Sequence, residues 1–164
     1  MILDEKVKAI EWLGNRVRII DQTKLPQEEV YLEFTGYQAI VLAIKELKIR
    51  GAPAIGVAGA YGMALGALEI ESVVRQGFLE RLRGISRTLA ATRPTARNLF
   101  RTLERMEQVV NASDDVEEIK KALVSEAIRI HAEEAEASRK LSQLGTELVH
   151  DNCTILTHCN TGAL

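Results

Sequence analysis

The sequence predicts a mainly α protein with a small N-terminal antiparallel β-sheet, an α+β fold whose last residues open a separate α/β unit. Three observations predict it. Apolar and polar residues alternate, with turn residues between the runs, up to about Thr35. Helical spacing then takes over for more than a hundred residues, and a short β-prone run returns at Cys153-Thr154-Ile155-Leu156-Thr157-His158.

Val7 to Trp12 and Arg16 to Ile20 alternate and flank Leu13-Gly14-Asn15, the pattern of a hairpin. Pro26 breaks the chain, and Glu29 to Phe34 supplies a third strand. Thr35 and Gln38 have the spacing of a capping box, ahead of Ala39, Ile40, Ala43, Ile44 and Leu47 at helical intervals. A second helix is expected to start at Pro53, where a missing N–H costs nothing. Two more are expected over about Phe78 to Ala91 and about Pro94 to Val110. Ser113-Asp114-Asp115 reads as the start of one long amphipathic helix running from Val116 to about Leu144, with Gly145 as its stop. The final strand, ending in Cys159-Asn160-Thr161-Gly162, resembles the opening of an open α/β sheet with a ligand loop at its carboxyl edge. The expected organisation is therefore one domain over 1–149 and, over 150–164, the first strand and loop of a second.

Composition narrows the function. With 164 residues, 46% apolar, 27% charged and a net charge of −2, the chain has no overall electrostatic footprint for nucleic acid or an anionic membrane. An anionic ligand must be held by a few local basic groups. Cys153 and Cys159 lie six apart without a second pair, so neither a disulfide framework nor a structural zinc site is expected, and a reducing, cytoplasmic setting fits. The uncharged stretch from Ala52 to Leu68 is short for a membrane span and punctuated by glycine, and reads as a buried helix. The N-terminus shows no secretory signal pattern.

Three segments carry chemistry. In Ile49-Arg50-Gly51-Ala52-Pro53-Ala54-Ile55-Gly56, a helix N-terminus offers unpaired amides to an anion, Arg50 adds a guanidinium, and Gly51 and Ala52 leave the backbone approachable. Gly56, Gly59, Gly62 and Gly66 follow on roughly one face, an arrangement for close packing. Spacing alone fits equally a glycine-rich core helix behind a solvated arginine, for no nucleotide-binding motif is present. Thr92-Arg93-Pro94-Thr95 repeats the pattern of a basic residue before a proline-initiated helix, and in isolation it reads as a surface arginine near a cap. Two such arginines in one small domain can converge on one anion. In the third segment, Cys159 at a strand end beside exposed amides has the setting of an acid, base or nucleophile, although a cysteine after an apolar strand is more often a small buried hydrophobe. His158 falls on the opposite face of that strand, Cys153 at its start reads as structural, and His131 and His150 read as packing or solvated residues. The run from Glu133 to Lys140 reads as the wet face of a helix.

Together these segments resemble the methylthioribose-1-phosphate isomerase family. Asp21 to Pro26 matches its DQTKLP element, Arg50 to Gly62 its RGAPAIGVAxAYG signature, Arg93 to Leu99 its RPTAxNL, and Leu156 to Leu164 its LTHCNTGAL. The order and spacing agree from about Trp12 onward. The resemblance implies an N-terminal sheet and helical bundle followed by a Rossmann-like domain, in a homodimeric protein of about twice this length. It implies that Arg50, Gly51, Ala52 and Arg93 bind a sugar phosphate and that Cys159 is catalytic, with an aspartate from the second domain as the other catalytic group. The implied reaction is the aldose–ketose isomerisation of 5-methylthioribose 1-phosphate in methionine salvage, with no metal and no organic cofactor. The small-molecule substrate would be the partner, without nucleic acid or membrane. Lacking the second domain, the chain alone is expected to be inactive. Ribose-1,5-bisphosphate isomerases and the non-catalytic regulatory subunits of the translation initiation exchange factor share the architecture and stand as alternatives, the latter generally lacking the cysteine loop and an intact RGAPAIG.

Overall fold

The computed structural model of the chain describes residues 7–71 and 74–158. Strands β1 (Ile10–Trp12), β2 (Val17–Ile20) and β3 (Tyr31–Phe34) form an antiparallel sheet in the order β1-β2-β3. The hairpin closes through Leu13 N–H to Arg16 O at 2.8 Å, with Gly14 at φ +83°, a left-handed conformation that glycine adopts without strain. The register sets Ile10 against Ile19 and Trp12 against Val17. Because side chains alternate along a strand, Val17 and Ile19 are fully buried together, and Arg18 points the other way, onto Glu11 and over the Tyr31 ring.

Five helices follow. They are α1 (Tyr37–Lys45), α2 (Ala52–Glu69), α3 (Arg75–Ala90), α4 (Arg97–Val109) and, after a 3₁₀ turn at Val110–Ala112, α5 (Val116–Thr146). The fold class is the one expected, a small sheet with a helical bundle. At the centre is α2, buried continuously from Ile55 to Ala67 and touched by α1, α3, α4 and α5. The glycine stripe lets its neighbours close in. A Cβ at Gly59 would lie 2.5 Å from Leu99 Cδ1 of α4, and one at Gly66 would lie 2.7 Å from Ile85 Cδ1 of α3. The uncharged stretch is thus a core helix, and among the described residues no helix is long and apolar enough to cross a membrane.

Helix ends show where local and distant interactions compete. Asp115 caps α5 as expected, its carboxylate accepting from Glu118 N–H at 2.8 Å. The capping box at Thr35 and Gln38 does not form. Gly36 is the cap residue, and the first free amide, Tyr37 N–H, donates to Glu69 Oε1 at the far end of α2, 3.1 Å away. Likewise α4 begins at Arg97 rather than at Pro94. Ala96 N–H donates to Arg93 O at 3.0 Å, so Pro94 occupies the second position of a β-turn, where its fixed φ fits as well as it would in a first helical turn. The strand expected over 153–158 is also missing. These residues are exposed and without regular structure, because no described strand lies alongside to accept and donate the ladder bonds.

Glu133, read from sequence as part of a wet helix face, instead joins α5 to α4. Arg105 donates to Glu133 Oε2 at 2.6 Å and Oε1 at 3.0 Å, and to the largely buried Glu126 at 2.5 Å. The hydrogen bond from Arg105 holds the Glu133 carboxyl below its ordinary value of 4.5. A carboxyl whose pKa is lowered by folding stabilises the native state above its unfolded pKa, and that contribution disappears as pH falls through the lower folded value. Acid titration of Glu133→Gln should therefore show a smaller loss of melting temperature below about pH 4.5 than the parent protein shows. The glycines give a second expectation with opposite signs. Gly59→Ala should cost about 1–3 kcal/mol by forcing Leu99 out of its place. Gly84→Ala, within α3 and with nothing within 4 Å of the added Cβ, should gain roughly 0.5–1 kcal/mol, both read from urea unfolding.

Candidate functional site

The loop from α1 into α2 is built by backbone bonds that turn the chain sharply. Leu47 takes a left-handed φ of +60°, and Lys48 N–H and Ile49 N–H both return to Ala43 O, at 2.9 and 3.3 Å. Ile49 is thereby driven fully into the core while Arg50 emerges into solvent. Gly51 follows at φ +98°, a region closed to most side chains, so this position is held for glycine by the backbone even though the space around it is empty. The first helical bond of α2 is Ile55 N–H to Gly51 O at 2.9 Å. Ala52 and Ala54 therefore precede any i−4 acceptor within the helix, Pro53 has no N–H, and Ala52 and Pro53 are exposed. The result is an open helix N-terminus beside a guanidinium.

What holds this loop was not assigned from sequence. Gln22, buried to 2% exposure, bridges it: its N–H donates to Lys48 O at 2.9 Å, its Nε2 lies 3.4 Å from Arg50 O, and Arg50 Nε donates to its Oε1 at 3.3 Å. Asp21, also buried, fixes the approach to Gln22 by accepting from Thr23 N–H at 3.0 Å and Thr23 Oγ1 at 2.6 Å. The signal was present in Asp21-Gln22-Thr23-Lys24-Leu25-Pro26, a polar cluster between two strands, but its partner is 28 residues away in the chain.

Arg93, half-buried, sits in the connection between α3 and α4. Thr92 before it is buried, with its hydroxyl donating to Leu89 O at 2.6 Å. Helix contacts fix where this connection lies. A Cβ at Gly66 of α2 would meet Ile85, one at Gly62 would meet Leu89, and one at Gly56 would meet Asn98 and Thr102 at the start of α4. Helix α3 thus runs antiparallel to α2, and the Arg93 turn lies toward the N-terminal end of α2, the end that carries Arg50, Gly51 and Ala52. Cys159 lies outside the described residues. Cys153 and His158 are exposed. His131 is a packing residue, with Nδ1 2.8 Å from the Tyr61 hydroxyl. Among the described residues no cluster of three His, Cys, Asp or Glu side chains converges as a metal site. A shallow, open cleft of about 390 Å³ lies at the opposite end of α2, beside Tyr37, Glu69, Arg81 and Thr88, away from both arginine segments.

Chemically, the N-terminal end of α2 offers amides, the positive end of a helix dipole and two arginine segments, the requirements of a phosphate ligand. Because the Gln22 side chain links the loop to the sheet, Gln22→Leu should lower stability by about 0.5–1.5 kcal/mol, since Arg50 O and Arg50 Nε each lose a partner while the backbone bond to Lys48 O stays. Hydrogen exchange should then rise at Lys48 to Gly51, with the helical core unchanged.

Comparison with known proteins shows the family. The profile of the Initiation factor 2 subunit family matches residues 48–164. A methylthioribose-1-phosphate isomerase of Dehalococcoides mccartyi strain CBDB1 is 56% identical over 158 residues, which cover 96% of this chain and 48% of that protein. The crystal structure of 5-methylthioribose 1-phosphate isomerase from Pyrococcus horikoshii OT3 superposes with a TM-score of 0.89 at 36% identity, covering 96% of this chain and 45% of that one. The translation initiation factor eIF-2B, subunit delta, from A. fulgidus gives 0.85 at 39% identity over the same share of this chain and 46% of its own. The chain spans about half the length of the curated relatives it matches. The match runs through the arginine–glycine loop, the central helix and the bundle around it, and the chain belongs to the Initiation factor 2 subunit family.

Proposed function

We propose that this chain is the N-terminal part of a methylthioribose-1-phosphate isomerase, in which the N-terminal end of α2 holds the sugar phosphate and Cys159 moves the proton. The observation that carries the reading is the 56% identity over 158 residues to an isomerase so named. The loop geometry supports it, because Arg50, the exposed backbone at Gly51 and Ala52, and the Arg93 turn lie toward one end of the bundle. In this reading 1–149 form the first domain and 150–164 begin a second, Rossmann-like one. The whole protein works as a cytoplasmic homodimer.

The substrate sets the mechanism. Phosphate on C1 prevents simple opening of the ring to a free aldehyde, so one group must assist cleavage of the ring C–O bond and another must carry hydrogen from C2 to C1. An aspartate of the second domain takes the first role. Cys159, as thiolate, removes the C2 proton and returns it to C1, so the net change is an internal redox exchange with no outside oxidant or reductant. Transfer by hydride shift is the competing route, and incorporation of solvent deuterium at C1 separates the two.

Activity is testable by joining this chain to the residues that the Dehalococcoides mccartyi relative carries outside the aligned region. With 5-methylthioribose 1-phosphate, the joined protein should turn over and the 164-residue chain alone should not. Cys159→Ser should lose a factor of about 10² to 10⁴ in kcat. Cys153→Ser should be nearly silent, and Arg93→Ala should raise KM. Turnover of ribose 1,5-bisphosphate in preference to the methylthio sugar would move the assignment to that isomerase. Lack of turnover with either, in a folded protein, would favour the regulatory-subunit reading that the likeness to eIF-2B subunit delta raises.

A further inference from the structure

Asp21 and Gln22 stand side by side in the buried approach to the arginine–glycine loop, at 4% and 2% exposure, and they face different partners. The Asp21 carboxylate is committed to Thr23, accepting from its N–H at 3.0 Å and from its hydroxyl at 2.6 Å. The neutral amide of Gln22 meets Arg50 instead, accepting from Nε at 3.3 Å while its own Nε2 lies 3.4 Å from Arg50 O. Lys48, two residues before, is paired with Glu46 at 2.7 Å. Among the described residues no carboxylate pairs with Arg50, and neither Nη of its guanidinium has a hydrogen-bond partner.

A guanidinium has two kinds of edge that can grip a pair of oxygens: Nε with one Nη, or the two Nη together. Nε carries a single hydrogen, and here Gln22 engages it, so the side-on edge is closed. The end-on edge remains. Because the partner is an amide, the guanidinium is held without being neutralised. A carboxylate in the same place would also accept from Nε, but it would cancel much of the attraction for an anion. We propose that Gln22 is a positioning residue for the phosphate: it fixes Arg50 through Nε and leaves both Nη atoms, with their charge uncompensated, as the gripping edge beside the start of α2. This role rests on the reading that Arg50 holds the sugar phosphate, and adds which edge holds it and what keeps its charge available.

The test is a double-mutant cycle on the joined protein, with KM and kcat for 5-methylthioribose 1-phosphate measured for Gln22→Met, Arg50→Lys and the pair. Lysine keeps the charge but has no planar edge for the amide to orient. Gln22→Met should raise KM about fivefold with kcat within about twofold, and should add nothing once residue 50 is lysine. An equal KM penalty in both backgrounds would mean that Gln22 only supports the loop, and overturns the proposal. So does an unchanged KM in the single variant. Gln22→Glu probes the charge: it keeps an acceptor for Nε and should raise KM by at least about tenfold. A KM no higher than that of Gln22→Met, in a variant with a normal melting transition, counts against the proposal. If Gln22→Glu does not fold, the cycle with methionine decides. A joined parent that folds and is inactive sinks the isomerase reading. In that case, or if the joined parent does not fold, the cycle is read from the affinity of the 164-residue chain for inorganic phosphate by NMR titration. Coupling between residues 22 and 50 in that affinity sustains the role of Gln22, and absence of coupling or of phosphate binding overturns it.

Discussion

Between Ile55 and Ala67, helix α2 has no charged side chain and is buried at every residue, so its neighbours must cover each of these turns. The rest of the domain is arranged to meet that demand. Four helices and the first strand touch it, and the glycines at 59, 62 and 66 let α3 and α4 approach close enough that an added Cβ would collide with leucine or isoleucine side chains. Removing apolar surface from water at about 25 cal/mol per Å² makes such a helix the strongest organiser in a chain of this size. The candidate site follows from it, because the amides without an intrahelical acceptor are the ones left over where this helix starts.

A helix covered on all sides still needs its open end held in place, and here the sheet and the bundle cooperate. Gln22, just past β2, links to Lys48 and Arg50 ahead of α2, while Glu69 at the other end of α2 caps α1. Both are polar side chains acting across long stretches of chain. They convert the packing of the core into a fixed position for Arg50 and Gly51.

Much of this architecture was legible in the sequence because it depends on local periodicity. The hairpin around Gly14, the buried helix after Pro53 and the Asp115 cap are each written within a few residues. The misreadings share a cause. Pro94 fixes the same φ for a β-turn as for a first helical turn, so the start of α4 was placed three residues early. The capping box at Thr35 lost to Glu69, and Glu133 left the wet face for Arg105, both through partners far along the chain. The run at 153–158 has strand-forming residues, yet a strand exists only with a neighbour, and periodicity cannot supply one. The arginine–glycine loop was readable as a candidate, whereas the residue that holds it, Gln22, was not.

The Tyr61 hydroxyl has a consequence of a different kind. Small apolar residues recur around all faces of α2 itself, so hydrophobic burial alone scarcely distinguishes one rotation of the helix about its axis from another. Tyr61 breaks that degeneracy. Its ring stacks on Trp12 at 5.3 Å between centroids, and its hydroxyl reaches His131 Nδ1 at 2.8 Å. Burial raises the phenol pKa well above the usual range, so the hydroxyl keeps its proton beside the imidazole. Turning α2 by one residue, about 100°, would bury that hydroxyl without a partner, at a cost of about 1–3 kcal/mol. A single directional bond therefore keys the helix to one azimuth, and with it the direction in which the amides at its start are aimed.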